Sequence, residues 1–516
     1  MKPLLPKSFP AVLLLAAALA APAMAQTMSV GGSVQPQIDI PHAKKPKPGE
    51  KGGEIVLPEG ADAADICNTK GDPDNSIAAC TVIIQNPKTD PDQLAGAYNN
   101  RGNAYEDKGM IDQAMADFNQ ALTVKPDYNY ALNGLGVAYY RKRDLQTAIQ
   151  YFDASLAQDP TYAEPYTNRG NVYLDLKEYD KAFADYSKVI ELKPTEAKPL
   201  VTRGEAYKTA GKYDLAIADY NAAIALDPKY ADAYTDRGSV YRLQGDYAKA
   251  MADFEQALVI DPNNAAAYAN RGAIYDDQKK YDIALDQFTK AIKLDSKLEF
   301  AFKGRGNVFK HKGKYEQAIA DYDQAIALKP EDASAHVNRG LVNNLRQEYD
   351  RALRDFDIAV KLDYTMAKAR TGRAQALFNS GYFIDSAKDF ARALELEPND
   401  PYTVLRLYDA RGRMGKLSDA ELKKNAARLD LSKWPGPVIK YYMGKMSLGH
   451  LRAAANKAYR EDKDAEHCIV EFYVGEYIIV HNNRAGKKNL AKARNICPKT
   501  SFEWRAAHTE LDRLPK

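Results

Sequence analysis

Residues 231–264 read ADAYTDRGSVYRLQGDYAKAMADFEQALVIDPNN. With Gly238 at position 8 of a 34-residue unit, Ala250 falls at position 20, Phe254 at position 24 and Pro262 at position 32. The same small residue returns every 34 residues, at Gly102, Gly136, Gly170, Gly204, Gly238, Gly272, Gly306, Gly340 and Ala374. Position 20 is alanine in every unit but the last, where it is Ser386, and position 24 is always aromatic: Phe118, Phe152, Tyr186, Tyr220, Phe254, Phe288, Tyr322, Phe356 and Phe390. Proline occupies position 32 in seven of the nine units, so the period closes with a residue that cannot continue a helix.

This register, unbroken from Ala95 to Asp400, resembles the tetratricopeptide repeat (TPR), a helix-turn-helix unit of 34 residues. The resemblance implies an all-α, right-handed solenoid: small residues where two helices touch, aromatic rings between them, and proline after the second helix. Such an array also accommodates 516 residues without one oversized core, because each unit buries its apolar face on the next. The expected organisation is a signal peptide at residues 1–25, a linker at 26–60, an N-terminal capping hairpin at 61–94, nine repeats at 95–400 and a diverged helical cap at 401–516.

The signal peptide is read from Lys2 and Lys7, the apolar stretch Ala11–Ala21, and Ala23-Met24-Ala25 as the cleavage site. Export to the periplasm or medium is therefore expected, with Gln26 first in the mature chain. The apolar stretch is shorter than the roughly 20 residues a membrane anchor needs. No cysteine follows the cleavage site to carry a lipid, and no membrane span is expected. Residues 26–60 are rich in glycine and proline, with Lys44, Lys45 and Lys47, and show no helical period.

Four cysteines in an exported chain imply two disulfides. In the capping hairpin Cys67 falls at position 11 and Cys80 at position 24, which pack together in the family, so this pair replaces an aromatic contact. Near the C-terminus Gly475 serves as position 8 of a degenerate repeat, with Leu490, Ala493 and Pro498 at the aromatic, small and proline positions after a one-residue deletion. Cys468 then opens its first helix and Cys497 ends its second, two ends that antiparallel helices bring together. After Asp400 the register decays: position 8 becomes Tyr408 and position 24 Lys424, so a tenth repeat packed like the others is not expected.

Position 7 is arginine in every unit but the second, and position 23 is aspartate in seven. The second unit breaks both rules at once, with Leu135 and Tyr151, while the sixth keeps Arg271 and has Gln287. The pattern implies structural ion pairs such as Arg203 with Asp219, Arg237 with Asp253 and Arg305 with Asp321, made either within a repeat or across to its neighbour. Arginines lining an anion-binding ladder are the other reading, which the aspartates would cancel.

In the family, position 6 faces the inside of the superhelix. Here it reads Asn100, Gly134, Asn168, Thr202, Asp236, Asn270, Gly304, Asn338 and Gly372, and position 9 adds Asn103, Asn171 and Asn307. Asparagine offers a donor and an acceptor together, which match a peptide group without reading a side chain. The column resembles the asparagine ladder in the repeats of protein O-linked N-acetylglucosamine transferases and points to an extended polypeptide ligand; the alternative is that these asparagines bridge successive turns of the array. Positions 12 and 13 mix Glu106 and Asp107 with Lys310 and His311, so a clamp for one fixed carboxylate is not expected.

Nothing in the sequence points to an enzyme, a metal or a cofactor. The seven histidines are scattered, HExxH and phosphate-loop patterns are absent, and Ser447 reads as a helix cap. Nucleic acid is also excluded as a partner class, since export separates the chain from it and no binding module appears. Charge is unevenly spread: residues 401–516 hold 23 basic and 13 acidic residues, a balance of +10, against −9 for the rest of the mature chain. Such asymmetry can steer an anionic partner, such as a glycan, to the cap; the other readings are a solvated helical surface that is simply lysine-rich, or mutual attraction of cap and repeats. The strings Trp434-Pro435-Gly436-Pro437, Glu471-Phe472-Tyr473, Gly475-Glu476 and Cys497-Pro498 resemble the tails of exported alphaproteobacterial TPR proteins, distantly like the TPR lipoproteins of the bacterial envelope. That resemblance implies a scaffold or adaptor for envelope proteins.

Overall fold

The computed structural model describes residues 62–69, 71–458, 463–481, 484–499 and 501–513; the expected signal peptide and linker lie outside them. Every regular element among the described residues is an α-helix. Two compact units divide the chain, one ending at Lys142 and the other beginning at Arg143.

Repeat five shows how the sequence produces the unit. Its first helix runs Ala231–Leu243 and its second Tyr247–Ile260. Gly245, at position 15, ends the first helix with φ of 80°, and the Asp246 carboxylate caps the second by accepting from the Lys249 amide. Asp261 and Pro262 stop the second helix, and Asn264 caps the next one by accepting from the Ala267 amide. Phe254 is fully buried between Ala250 and Ala257 of its own helix and Ala267 and Ile274 of the following repeat, so each ring serves two units.

Position 15 is left-handed throughout the array: at Gly109, Gly211, Gly245, Gly313 and Gly381, and also at Arg143, Lys177, Lys279 and Gln347. Side chains at those last four cost about 1 kcal/mol each in this conformation.

In the first unit, the short helix Ala63–Asn68 and the helix Pro73–Gln85 form a hairpin, followed by Pro91–Asp107, Ile111–Val124 and Asn129–Arg141. The Cys67 and Cys80 sulfurs are bonded, with Cα atoms 4.9 Å apart. The second unit opens with Leu145–Gln158 and continues as regular helix pairs through Phe383–Leu396.

Beyond Asp400 the helix Pro401–Arg413 keeps the length of a first helix, but its successor, Asp419–Ala426, has only 8 residues and exposes Lys424. Tyr408, buried at position 8, has its ring 5.4 Å from the tilted ring of Tyr442 and donates its hydroxyl to Asp419, filling space that a glycine would leave to a neighbouring ring. The pair Lys463–Val480 and Gly486–Ile496 follows, where a Cβ on Gly475 would lie 2.7 Å from Leu490. That is the contact glycine makes with position 24 in the regular repeats. Cys468 and Cys497 are bonded, with Cα atoms 4.7 Å apart. Cys468 does not open its helix, however: the helix starts at Lys463, so the bridge joins its second turn to the end of the next helix. With both pairs closed, thiol titration of the denatured, unreduced protein is expected to find no free cysteine; four reactive thiols would contradict both bridges.

Candidate binding face

The arginines at position 7 fix each first helix before any ligand is considered. Arg237 donates from Nε and Nη2 to Asp253 at 2.9 and 2.6 Å, and Arg203 with Asp219 and Arg305 with Asp321 repeat the fork at 2.7–2.8 Å. The fork lies inside one repeat, which decides between the two arrangements the sequence left open. A third bond crosses to the preceding repeat. Nη1 of Arg203 reaches Ser187, that of Arg237 reaches Asn221, and that of Arg339 reaches Asp323, all at position 25. Each of these guanidiniums therefore ties three helices together, and in Arg203 and Arg237 a ring at position 11 or 4 flanks it, Tyr207 at 5.7 Å and Tyr234 at 5.6 Å. In repeat six Gln287 accepts one bond from Arg271 at 2.9 Å. Leu135 and Tyr151, the apolar substitutes in repeat two, are both buried.

Positions 6, 9 and 13 are spaced to share one face of the first helix. Asn168, Asn171, Asn270 and Asn307 are half-buried there, whereas Asn338 is 8% exposed. Two position-9 asparagines are held by the ring beneath them: the Tyr186 hydroxyl donates to Asn171 Oδ1 at 2.7 Å and the Tyr322 hydroxyl to Asn307 Oδ1 at 2.8 Å. This fixes each amide with its oxygen toward the Tyr hydroxyl. Asn270 donates to the Ala266 carbonyl of its own helix. In the first unit Asn100 donates to Asn68 at 3.1 Å and Asn103 is exposed; both line a cleft of about 300 Å³ beside Cys67.

The glycines that interrupt the column have a packing cause. A Cβ on Gly372 would lie 2.5 Å from the Phe356 ring, and Gly134 and Gly304 back onto Phe118 and Phe288 in the same way. Each is thus occupied from behind by the preceding repeat's aromatic. Gly304→Asn, which restores an asparagine to the column, is expected to cost about 1–3 kcal/mol in a chemical melt, because the Phe288 ring must move; an unchanged midpoint would show that the ring yields freely.

Charges on this face pair between consecutive first helices. Lys208 meets Asp236 at 2.9 Å, Lys303 meets Asp332 at 2.5 Å, and His311 Nδ1 lies 3.0 Å from Asp276. Lys310 and Arg242 differ: burial lowers the Lys310 ammonium to about 8, with Lys368 acting in the same direction, and burial also lowers the Arg242 guanidinium. The face therefore mixes both signs, although Glu205 gathers with Asp232 and Asp236, and burial and these two carboxylates raise Glu205 to about 6. Ser447 accepts the His450 amide at the start of the helix Leu448–Ala458, as a cap does.

Family models for the tetratricopeptide repeat match residues 99–163, 163–196, 201–265, 265–298 and 346–401, and a TPR repeat model matches 306–344. The chain belongs to the tetratricopeptide repeat family. Among solved structures the TPR array is similar to a tetratricopeptide repeat protein from Parabacteroides merdae ATCC 43184, at 21% identity over 48% of this chain and 98% of that one, with a TM-score of 0.40. It is also similar to the APC/C hetero-tetramer Cut9-Hcn1 (14% identity, 66% of this chain and 84% of that one, TM-score 0.44) and to PilF of Pseudomonas aeruginosa (20%, 41% and 94%, TM-score 0.36). No curated protein matches. TPR arrays are protein–protein interaction scaffolds, a typically non-catalytic architecture. Among the described residues no helix is long and apolar enough to cross a membrane, and no group of three His, Cys, Asp or Glu side chains could hold a metal ion.

Proposed function

We propose that the protein is an exported TPR scaffold or adaptor whose inner face holds an extended polypeptide, in the service of an envelope protein complex. The observation that carries this reading is the fixing of Asn171 and Asn307 by Tyr186 and Tyr322, which sets amide groups at defined positions on a face of mixed charge. Such a face fits the peptide backbone, which every partner shares, better than any one ionic side chain. Two disulfides agree with an oxidising compartment, as does the signal-like pattern ending at Ala25.

The cap supports a second reading. Lys423, Lys424, Lys433, Lys445 and Lys488 are all exposed, which suits an anionic glycan of the cell wall. Affinity capture from native envelope, followed by mass spectrometry, separates the two. A recurrent protein partner supports the scaffold, whereas retention on purified anionic glycan, lost when those lysines are replaced by glutamine, supports the glycan reading and counts against the first.

A further inference from the structure

Asn379 breaks the exposure pattern of its own repeat position. At position 13, on the face shared with positions 6 and 9, Asp175, Thr209, Leu243, Asp277 and His311 are all exposed, yet Asn379 is 1% exposed. What covers this end of the first helix Ala367–Asn379 is the last described helix, Phe502–Arg513, which packs against it from more than 130 residues away in sequence. Arg513 donates from Nη1 to the Phe378 carbonyl at 3.1 Å and from Nη2 to the Asn379 carbonyl, and its guanidinium lies 5.6 Å from the Phe383 ring. A cation on the last carbonyls of a helix is favourable, and here it comes from outside the repeat.

The rest of the C-terminal helix is anchored in the cap. Ala506 and Ala507 are fully buried, and Glu510 meets both Arg413, at 2.9 Å, and Arg513, at 3.0 Å. Its contact with repeat nine leaves one side chain unsatisfied. Neither Oδ1 nor Nδ2 of the buried Asn379 side chain has a hydrogen-bond partner. An amide closed off in this way is disfavoured relative to a state in which water or a ligand reaches it. The closed arrangement thus opposes a favourable arginine cap with an orphaned amide on the surface it covers.

We propose that the helix Phe502–Arg513 is a displaceable self-ligand: it closes the inner face at repeat nine, and a polypeptide partner that satisfies Asn379 takes its place. The proposal rests on the inner face being the binding surface, and adds that one end of this surface is occupied in cis. Both parts can fail separately, since the test below reads only repeat nine and involves none of the asparagines at positions 6 and 9.

Hydrogen exchange on the full-length chain is the first measurement. Arg513→Ala is expected to speed exchange of amides in Phe502–Arg513 at least tenfold, and Asn379→Ala to slow it, while Lys463–Val480 and Gly486–Ile496 keep their rates. The second measurement uses a fluorescent peptide spanning Ser501–Arg513, titrated against full-length chains. It is expected to bind the Arg513→Ala chain at least tenfold more tightly than the wild type, whose own helix occupies the site. The proposal is overturned if the helix exchanges only together with Lys463–Val480, or if the peptide binds both chains alike or neither.

Discussion

Asp253→Ala is expected to destabilise the protein by about 3 kcal/mol, because it strips a charged partner from Arg237 where the two side chains are only 8% and 20% exposed. Arg237 would keep Asn221 and the flanking Tyr234 ring, neither of which neutralises its charge. The effect should reverse in the double variant Arg237→Leu with Asp253→Tyr, which copies the residue types that repeat two carries at Leu135 and Tyr151. Replacing a buried ion pair by packed apolar groups is often neutral, so the double variant should melt within about 1 kcal/mol of the wild type. A double-mutant cycle checks this, with strong coupling expected and additivity contradicting the pair. Gln287→Ala is the internal control: one charge-assisted bond from Arg271 is lost but no carboxylate is removed, so the cost should be about 2 kcal/mol, below that of Asp253→Ala.

The second large effect concerns binding. Replacing Asn168, Asn171, Asn270 and Asn338 with alanine should weaken a polypeptide partner by about 1 kcal/mol per lost bond, together roughly a thousandfold. The structure changes how the experiment must be built. Asn171→Ala alone would remove the acceptor of the buried Tyr186 hydroxyl, so Tyr186→Phe belongs in the same variant. With it, the helical melting curve should stay close to that of a Tyr186→Phe control. A collapse of the melt in the combined variant would instead assign these asparagines to the packing between repeats.

Much of this was legible in the sequence because a repeat displays the same local problem many times. Gly238, Ala250 and Phe254 recur at fixed offsets, and the joint loss of arginine and aspartate in repeat two exposed the pairing of positions 7 and 23. Position 25 escaped notice because its residues share only hydrogen-bonding capacity: Ser187, Asn221, Thr289 and Asp323 each accept the guanidinium differently. Position 15 was missed for a related reason, since four of its members are not glycine and sequence alone does not show that Lys177 or Gln347 takes a left-handed backbone. The glycines at position 6 read as gaps in a ladder until the ring behind each was visible. Least legible was the contact of Arg513 with the end of Ala367–Asn379, which no periodicity encodes and only the path of the diverged cap brings about.

The central claim is that the inner face holds a polypeptide, and photocrosslinking tests it most directly. Full-length protein carrying a benzophenone side chain at Asn270, and separately at the exposed cap residue Lys424, would be irradiated in native envelope. The account predicts protein adducts from position 270, reduced when unlabelled wild-type protein competes, and few from position 424. Adducts from position 424 alone, with position 270 silent in a correctly folded protein, would contradict it.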